Sequence, residues 1–312
     1  MPKAENITRK QHYIPQVYLR GFSLEYIDKN NEIPLSRYMI YCHDLTKETQ
    51  LYKSVPIKSI CYKNDLYEVT GHDGEIVLPN RLEKFFSVLE KMFSEYRNKL
   101  ERKVFITENY KTNYFLTQEE KSFWITYILI QILRMPQILE LAEQVSLETL
   151  GEELTNKQAQ NIARLFCLPF FREMTEGNVE TKVFSTMFEP MKSMAFGIGV
   201  DVQGRIITSD KAVFVYSKEF PCEEYEKIIF PISSQICLFM FGNQDKKMQR
   251  KNFLFPIDEG CREEIVKSMS ASAFEKVYSN HIFDKKERKY IKEIMKDREE
   301  IKERRHYSNR GK

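Results

Sequence analysis

AFGIGVDVQGRIITSDKAVFVYS, residues Ala195–Ser217, decides the fold. Short apolar runs alternate there with Gly and Asp, the pattern of strands joined by tight turns. IIFPISSQICLFMFG (Ile228–Gly242) and NFLFPI (Asn252–Ile257) continue in the same character. Upstream the period changes. In LPNRLEKFFSVLEKMFSEYRNKLERKVF (Leu78–Phe105) the residues Leu82, Phe85, Phe86, Leu89, Met92 and Phe93 share one helical face. Thr117 and Glu120 form a capping box ahead of FWITYILIQILRMP (Phe123–Pro136). That stretch is apolar on nearly every side, so it reads as a surrounded helix. Pro136 predicts a kink, because it leaves the carbonyl of Ile132 without a helical donor.

Two more helices are expected over 156–171 and 179–194. Near the N-terminus SRYMIYCHD (Ser36–Asp44) reads as a strand, with TQLYKSV (Thr49–Val55) as its hairpin partner and DLYEV (Asp65–Val69) as another short strand. The chain closes with a helix over 259–280 and a charged helix over 284–305. A short β region, a helical middle, a β region and a helical end make an α+β fold. The N-terminal and late strands are expected to pack beside the helical middle. The expected division is one α+β domain over 1–283 and a charged, net basic C-terminal helix and tail over 284–312.

Composition narrows the class. Hydrophobic residues are 42% and charged residues 30%, which suits a folded chain with a substantial core. The longest apolar stretch falls short of the roughly 18 residues a spanning helix needs, and Gln131 and Arg134 interrupt it, so no membrane segment is expected. There is no apolar leader. The six cysteines form no CxxC pair, which argues against a zinc site of usual spacing and a disulfide framework. Reduced thiols and a cytoplasmic location follow as expectations. The formal charge of +3 is uneven: residues 284–312 carry twelve Lys/Arg against seven Asp/Glu, leaving the rest near −2. A body of that charge is not itself a strongly positive nucleic-acid platform. P-loop, dinucleotide fingerprint, nucleophile elbow and kinase motifs are missing, so no nucleotide cofactor is expected.

Polar residues stand out in three places. In QHYIPQVYLRGFS (Gln11–Ser23), Pro15, Tyr18, Leu19 and Phe22 make an apolar stripe. Gln11 and His12 fall on the extended lead-in, and Arg20 projects away from the stripe. Gln131 and Arg134 lie three apart on the greasy helix, hence on one side of it, and burial would demand partners such as Glu83 or Glu90. Thr208, Ser209 and Asp210 sit between two expected strands, where turn chemistry explains them. A cleft-facing Asp210 would instead orient His12 or hold a cation.

The pattern QH-Y-x-P-x-x-YLR-x-F-S resembles the start of a prokaryotic family catalogued as domain of unknown function 4238. QILRMP (Gln131–Pro136), IITSDKAVFVY (Ile206–Tyr216) and FPIS (Phe230–Ser233) follow in the family's order. One departure is Lys211 with Ala212, where the family usually places a polar residue and proline. The resemblance implies a cytosolic protein, often associated with mobile or defence genes, and a signature combining imidazole, guanidinium and carboxylate. Two readings follow from that chemistry. In one, the protein cleaves phosphodiesters of RNA or DNA as a cellular effector. His12 moves the proton, and Asp210 orients it or binds an ion. Arg20 and Arg134 hold the phosphate, with Gln11, Gln131, Thr208 and Ser209 lining the same cleft. It needs no metal cage, at most a single divalent cation, since two-metal chemistry would want more carboxylates nearby. In the other, the same residues form a buried network in a non-catalytic module that recruits a protein partner.

Overall fold

The computed structural model describes residues 7–25, 37–47, 53–71, 73–77, 79–107, 115–150, 155–165, 182–217, 225–242 and 252–310. The fold is α+β. Its strands are β1 (Lys10–His12), β2 (Met39–Asp44), β3 (Ser54–Pro56), β4 (Tyr62–Asn64), β5 (Ala195–Val200), β6 (Thr208–Ser209), β7 (Phe214–Tyr216), β8 (Lys227–Pro231), β9 (Ile236–Phe241), β10 (Asn252–Pro256) and β11 (Lys276–Ser279). The helices are α1 (Gln16–Leu19), α2 (Arg81–Ile106), α3 (Gln118–Leu133), α4 (Pro136–Leu150), α5 (Asn156–Leu165), α6 (Lys182–Ser193), α7 (Glu259–Ser272) and α8 (Lys285–Arg310).

One sheet has the order β10-β5-β9-β8-β7, with β10 parallel to β5 and the other pairs antiparallel. A second has the order β3-β2-β11-β6 and joins N-terminal strands to late ones. β1 and β4 form a separate antiparallel pair. On the first sheet Phe196, Leu238, Met240 and Phe230 are buried in the main core with Trp124 and Tyr127 of α3. Phe239, Phe241, Phe253 and Phe255 crowd the opposite face. Gly197 makes room for them, since a Cβ there would meet Phe255 at 3.0 Å and Phe241 at 3.1 Å.

Helix α3 is set by its ends. Thr117 Oγ1 accepts the Glu120 N–H at 3.2 Å, and Glu120 Oε2 accepts the Thr117 N–H at 2.8 Å. At the other end α3 stops, and Pro136 opens α4 at an angle of 68°. The expected kink is thus a full break, with proline at the first helical position, where its missing N–H matters least. No single helix among the described residues is long and apolar enough to cross a membrane; α3 and α4 meet that length and composition only as a bent pair.

Two expectations need correction. DLYEV is not a strand: Tyr62–Asn64, just before it, pairs with β1, and Asp65–Tyr67 turn. The helix expected over 259–280 ends at Ser272, and β11 follows. Its KVYS sequence pairs with both β2 and β6, so tertiary pairing overrides local helical pattern. The hairpin partner of β2 begins its pairing at Ser54; residues 48–52 lie outside the described residues, as do 166–181 of the two middle helices.

Candidate functional site

The N-terminal signature docks on the late strands. Tyr18 stacks on Phe230 at 5.5 Å, and its hydroxyl shares a 2.7 Å hydrogen bond with that of Thr208. The Gly21 carbonyl accepts the Ser234 N–H at 2.8 Å. A Cβ at Gly21 would lie 3.0 Å from the Ile232 carbonyl oxygen and 3.2 Å from Ser233, so a larger residue at this junction of two backbones requires a neighbour to shift by a few tenths of an ångström. The first signature block therefore meets both late ones, through Tyr18 with Thr208 and with Phe230.

His12 and Asp210 take separate places. Asp210 is buried and committed to backbone: Oδ1 accepts the Phe274 N–H at 2.8 Å, and Oδ2 accepts those of Glu275 at 2.9 Å and Lys276 at 3.1 Å. It fastens the turn between α7 and β11. Burial pushes its carboxyl up, and the three N–H groups pull it back. Ser209 Oγ accepts the Lys211 N–H at 3.3 Å. Ala212 beyond it has φ +60°, which proline cannot adopt, so the departure from the family pattern falls where the backbone itself excludes that residue.

His12 forms part of the wall of a hollow of about 490 Å³, with Lys10, Gln16, Lys58, Glu83 and Glu90. Strand β1 supplies His12, the start of α1 supplies Gln16, and the 3-10 turn Ile57–Ser59 supplies Lys58. Glu83 and Glu90 stand two turns apart on α2. The imidazole Nδ1 lies 3.5 Å from Gln16 Nε2, and Nε2 makes no hydrogen bond of normal geometry. Burial lowers the imidazole's proton affinity; the Lys58 carbonyl opposes this, while Arg134 and Lys10 reinforce it. Burial pushes Glu83 up to about 7; Arg134 opposes this, and Glu90 and Glu68 add to it. Glu90 is likewise raised by burial and held back by Arg134.

Arg134 stands behind this wall. Its guanidinium lies 4.0 Å from the Phe86 ring, donates from Nη2 to the His12 carbonyl, and reaches Glu90 Oε1 at 3.5 Å. It holds the backbone of His12 from inside the core. Gln11 is also buried: Nε2 donates to Glu68 at 2.6 Å and Oε1 accepts the Tyr67 N–H at 2.6 Å. Arg20 lies half-buried over the Tyr38 ring at 5.5 Å; burial lowers its proton affinity, Tyr38 and Glu90 oppose this, and Arg97 adds to it. Gln131 is fully buried with neither amide atom hydrogen-bonded, and the Tyr127 hydroxyl one turn earlier has no partner either.

Of the expected site residues, then, the structure sets His12 in an open hollow with Arg134 behind it, and Arg20 near Glu90. It gives Gln11, Thr208, Ser209 and Asp210 internal partners elsewhere. Sequence reasoning treated Glu83 and Glu90 only as ion-pair partners for Arg134, and it missed Lys10 and Lys58 as neighbours of His12. The i, i+7 spacing of the two glutamates beside the apolar face of α2 was the available signal. No group of three or more His, Cys, Asp or Glu side chains arranged to hold a metal occurs among the described residues.

A sequence model described as "Protein of unknown function (DUF4238)" matches residues 10–282. No curated protein matches the chain. No solved structure matches it.

Proposed function

The chain belongs to the DUF4238 family, and we propose that it cleaves RNA at the hollow beside His12 by general acid–base chemistry. The observation that carries this reading is the pairing of opposite shifts in one open site. His12 is lowered, so its imidazole is neutral near pH 7 and able to accept a proton; Glu83 is raised to about 7, so a fraction of it retains a proton there. Groups driven apart in this way are suited to opposite proton-transfer roles. RNA supplies its own nucleophile. His12 takes the proton of a 2′-hydroxyl, whose oxygen bonds to phosphorus as the bond to the 5′-oxygen breaks, and Glu83 protonates that leaving oxygen. The products are a 2′,3′-cyclic phosphate and a 5′-hydroxyl. Lys10 and Lys58 offset the charge gathering on the phosphate, and Arg134 keeps His12 in place. A prokaryotic, cytoplasmic effector acting on mobile elements is the setting we propose, on the family resemblance alone.

Incubation of purified protein with end-labelled RNA and DNA, with and without divalent cations, tests this. Wild type should cut RNA to cyclic-phosphate ends, and His12→Ala should lose at least ~100-fold in rate while melting as wild type does. Full activity in His12→Ala overturns the assignment. A non-catalytic module is favoured by a different observation: Gln11, Arg134, Thr208 and Asp210 all have internal partners. A well-folded wild type that leaves every RNA intact selects that reading.

A further inference from the structure

The row of side chains that backs the His12 hollow continues past it. Glu83, Glu90 and Arg97 follow at seven-residue intervals on α2, so they keep nearly one face and stand about 10.5 Å apart. Glu83 and Glu90 line the hollow, and Arg97 lies beyond them. On the facing segment Gln16 also lines the hollow. Arg20 comes four residues later, where α1 tightens into the 3-10 turn Arg20–Phe22, one turn further along the same side. It is outside the wall of the hollow and next along the row.

Three guanidiniums stand in this neighbourhood, and they are used differently. Arg134 and Arg97 are buried and hold backbone: Arg134 donates to the His12 carbonyl, and Arg97 Nη1 to that of Val17 at 2.8 Å. Arg20 lies over the Tyr38 ring, and its buried Nε has no hydrogen-bond partner. Its guanidinium makes no hydrogen bond or ion pair among the described residues. Glu90 is the carboxylate whose charge reaches it, and that carboxylate already faces Arg134 at 3.5 Å, while Arg97 repels it. Positive charge is therefore in surplus beside the hollow, partly out of water, where an uncompensated charge is costly. The fork of an arginine matches two oxygens of a phosphate with parallel hydrogen bonds.

We propose that Arg20, with Arg97 behind it, is a subsite for a second phosphate of the RNA strand, flanking the one held in the His12 hollow. The proposal rests on the nucleic-acid reading above for the identity of the strand, and its test separates the two. Its consequence is a preference in substrate. A dinucleotide with one internal phosphate fills the hollow alone, whereas a strand with a neighbouring phosphate also engages Arg20.

The experiment is isothermal titration calorimetry of full-length protein with 2′-O-methyl dinucleotides, which lack the nucleophile and stay intact. Three probes are compared: the plain dinucleotide, and the same molecule with an added 5′-phosphate or 3′-phosphate. Wild type should bind one of the phosphorylated probes at least ~10-fold more tightly than the plain one. Arg20→Gln should erase that gain, and its slope of log affinity against log salt for that probe should shrink by about 0.7. Arg20→Lys should restore part of the gain, because an ammonium keeps the charge and loses the fork. Melting curves check that both variants fold. If neither added phosphate tightens binding to wild type, the subsite is overturned without recourse to any variant. A gain that survives in folded Arg20→Gln also overturns it, as does an equal gain from a terminal carboxymethyl group. If wild type leaves RNA uncut yet shows the phosphate gain and loses it in Arg20→Gln, the catalytic reading fails and the subsite stands.

Discussion

Two buried carboxylate sites in this molecule are treated in opposite ways. At the α7–β11 turn, Asp210 is surrounded by three backbone N–H donors and has become a fastener. At the His12 hollow, Glu83 Oε1 is buried without a hydrogen bond, and burial lifts the carboxyl to about 7. Desolvation raises both; the difference lies in what compensates it. A satisfied carboxylate is rigid and chemically quiet, whereas an under-satisfied one in an open hollow holds a proton near neutrality. Asp210, expected to act with His12, spends its carboxylate on backbone N–H groups, and the carboxylates that line the hollow with His12 come instead from α2.

The sharpest way to break this comparison is Asp210→Ala. It strands three N–H groups in a buried turn and should lower unfolding free energy by about 3 kcal/mol, measured by urea titration, with cleavage per folded molecule unchanged. A loss of activity without a loss of stability would return Asp210 to the site. The next test is pH. Between 4.5 and about 7 the folded chain keeps a Glu83 proton that the unfolded chain has released, so Glu83 erodes stability as pH rises through that window. Glu83→Gln should raise the melting temperature above pH 7 and leave it unchanged near pH 4.

Glu120 has the reverse sign. Burial raises its carboxyl, but Lys103, the Thr117 N–H and Lys99 outweigh that and hold it at about 2. Its contribution is present above 4.5 and disappears as pH falls towards 2, so Glu120→Gln should destabilise at pH 7 and be silent near pH 2. Parallel pH profiles for the two variants would erase the distinction. The smallest effect is expected at Gln131, whose buried amide lacks partners. Gln131→Leu should be neutral or stabilising by up to about 1 kcal/mol in the same titration. A large destabilisation would show that the amide is held by something it binds.

Much of the architecture was legible because local rules carried it. The capping box at Thr117 and Glu120, the all-apolar α3, the amphipathic α2 and the glycine-punctuated strands after Ala195 each follow from residue spacing. β11 was not legible, because KVYS follows a helical pattern and becomes a strand only between β2 and β6. The site was less legible still. His12 could be picked out because it stands off the apolar stripe. Its hollow could not, since Lys58, Glu83 and Glu90 come from segments whose own patterns say only turn and helix.

The amino-acid order alone determined which segments bury apolar faces, where helices start and stop, and which side chains had chemistry to offer. Those outcomes depend on neighbours within a few residues. Only the three-dimensional packing decided whether a polar group would be satisfied or left short: Asp210 met three N–H donors from residues more than sixty positions later, while Glu83 Oε1 met none. Solvation of a buried charge depends on everything within a few ångströms, and in a folded chain that neighbourhood is assembled from distant sequence.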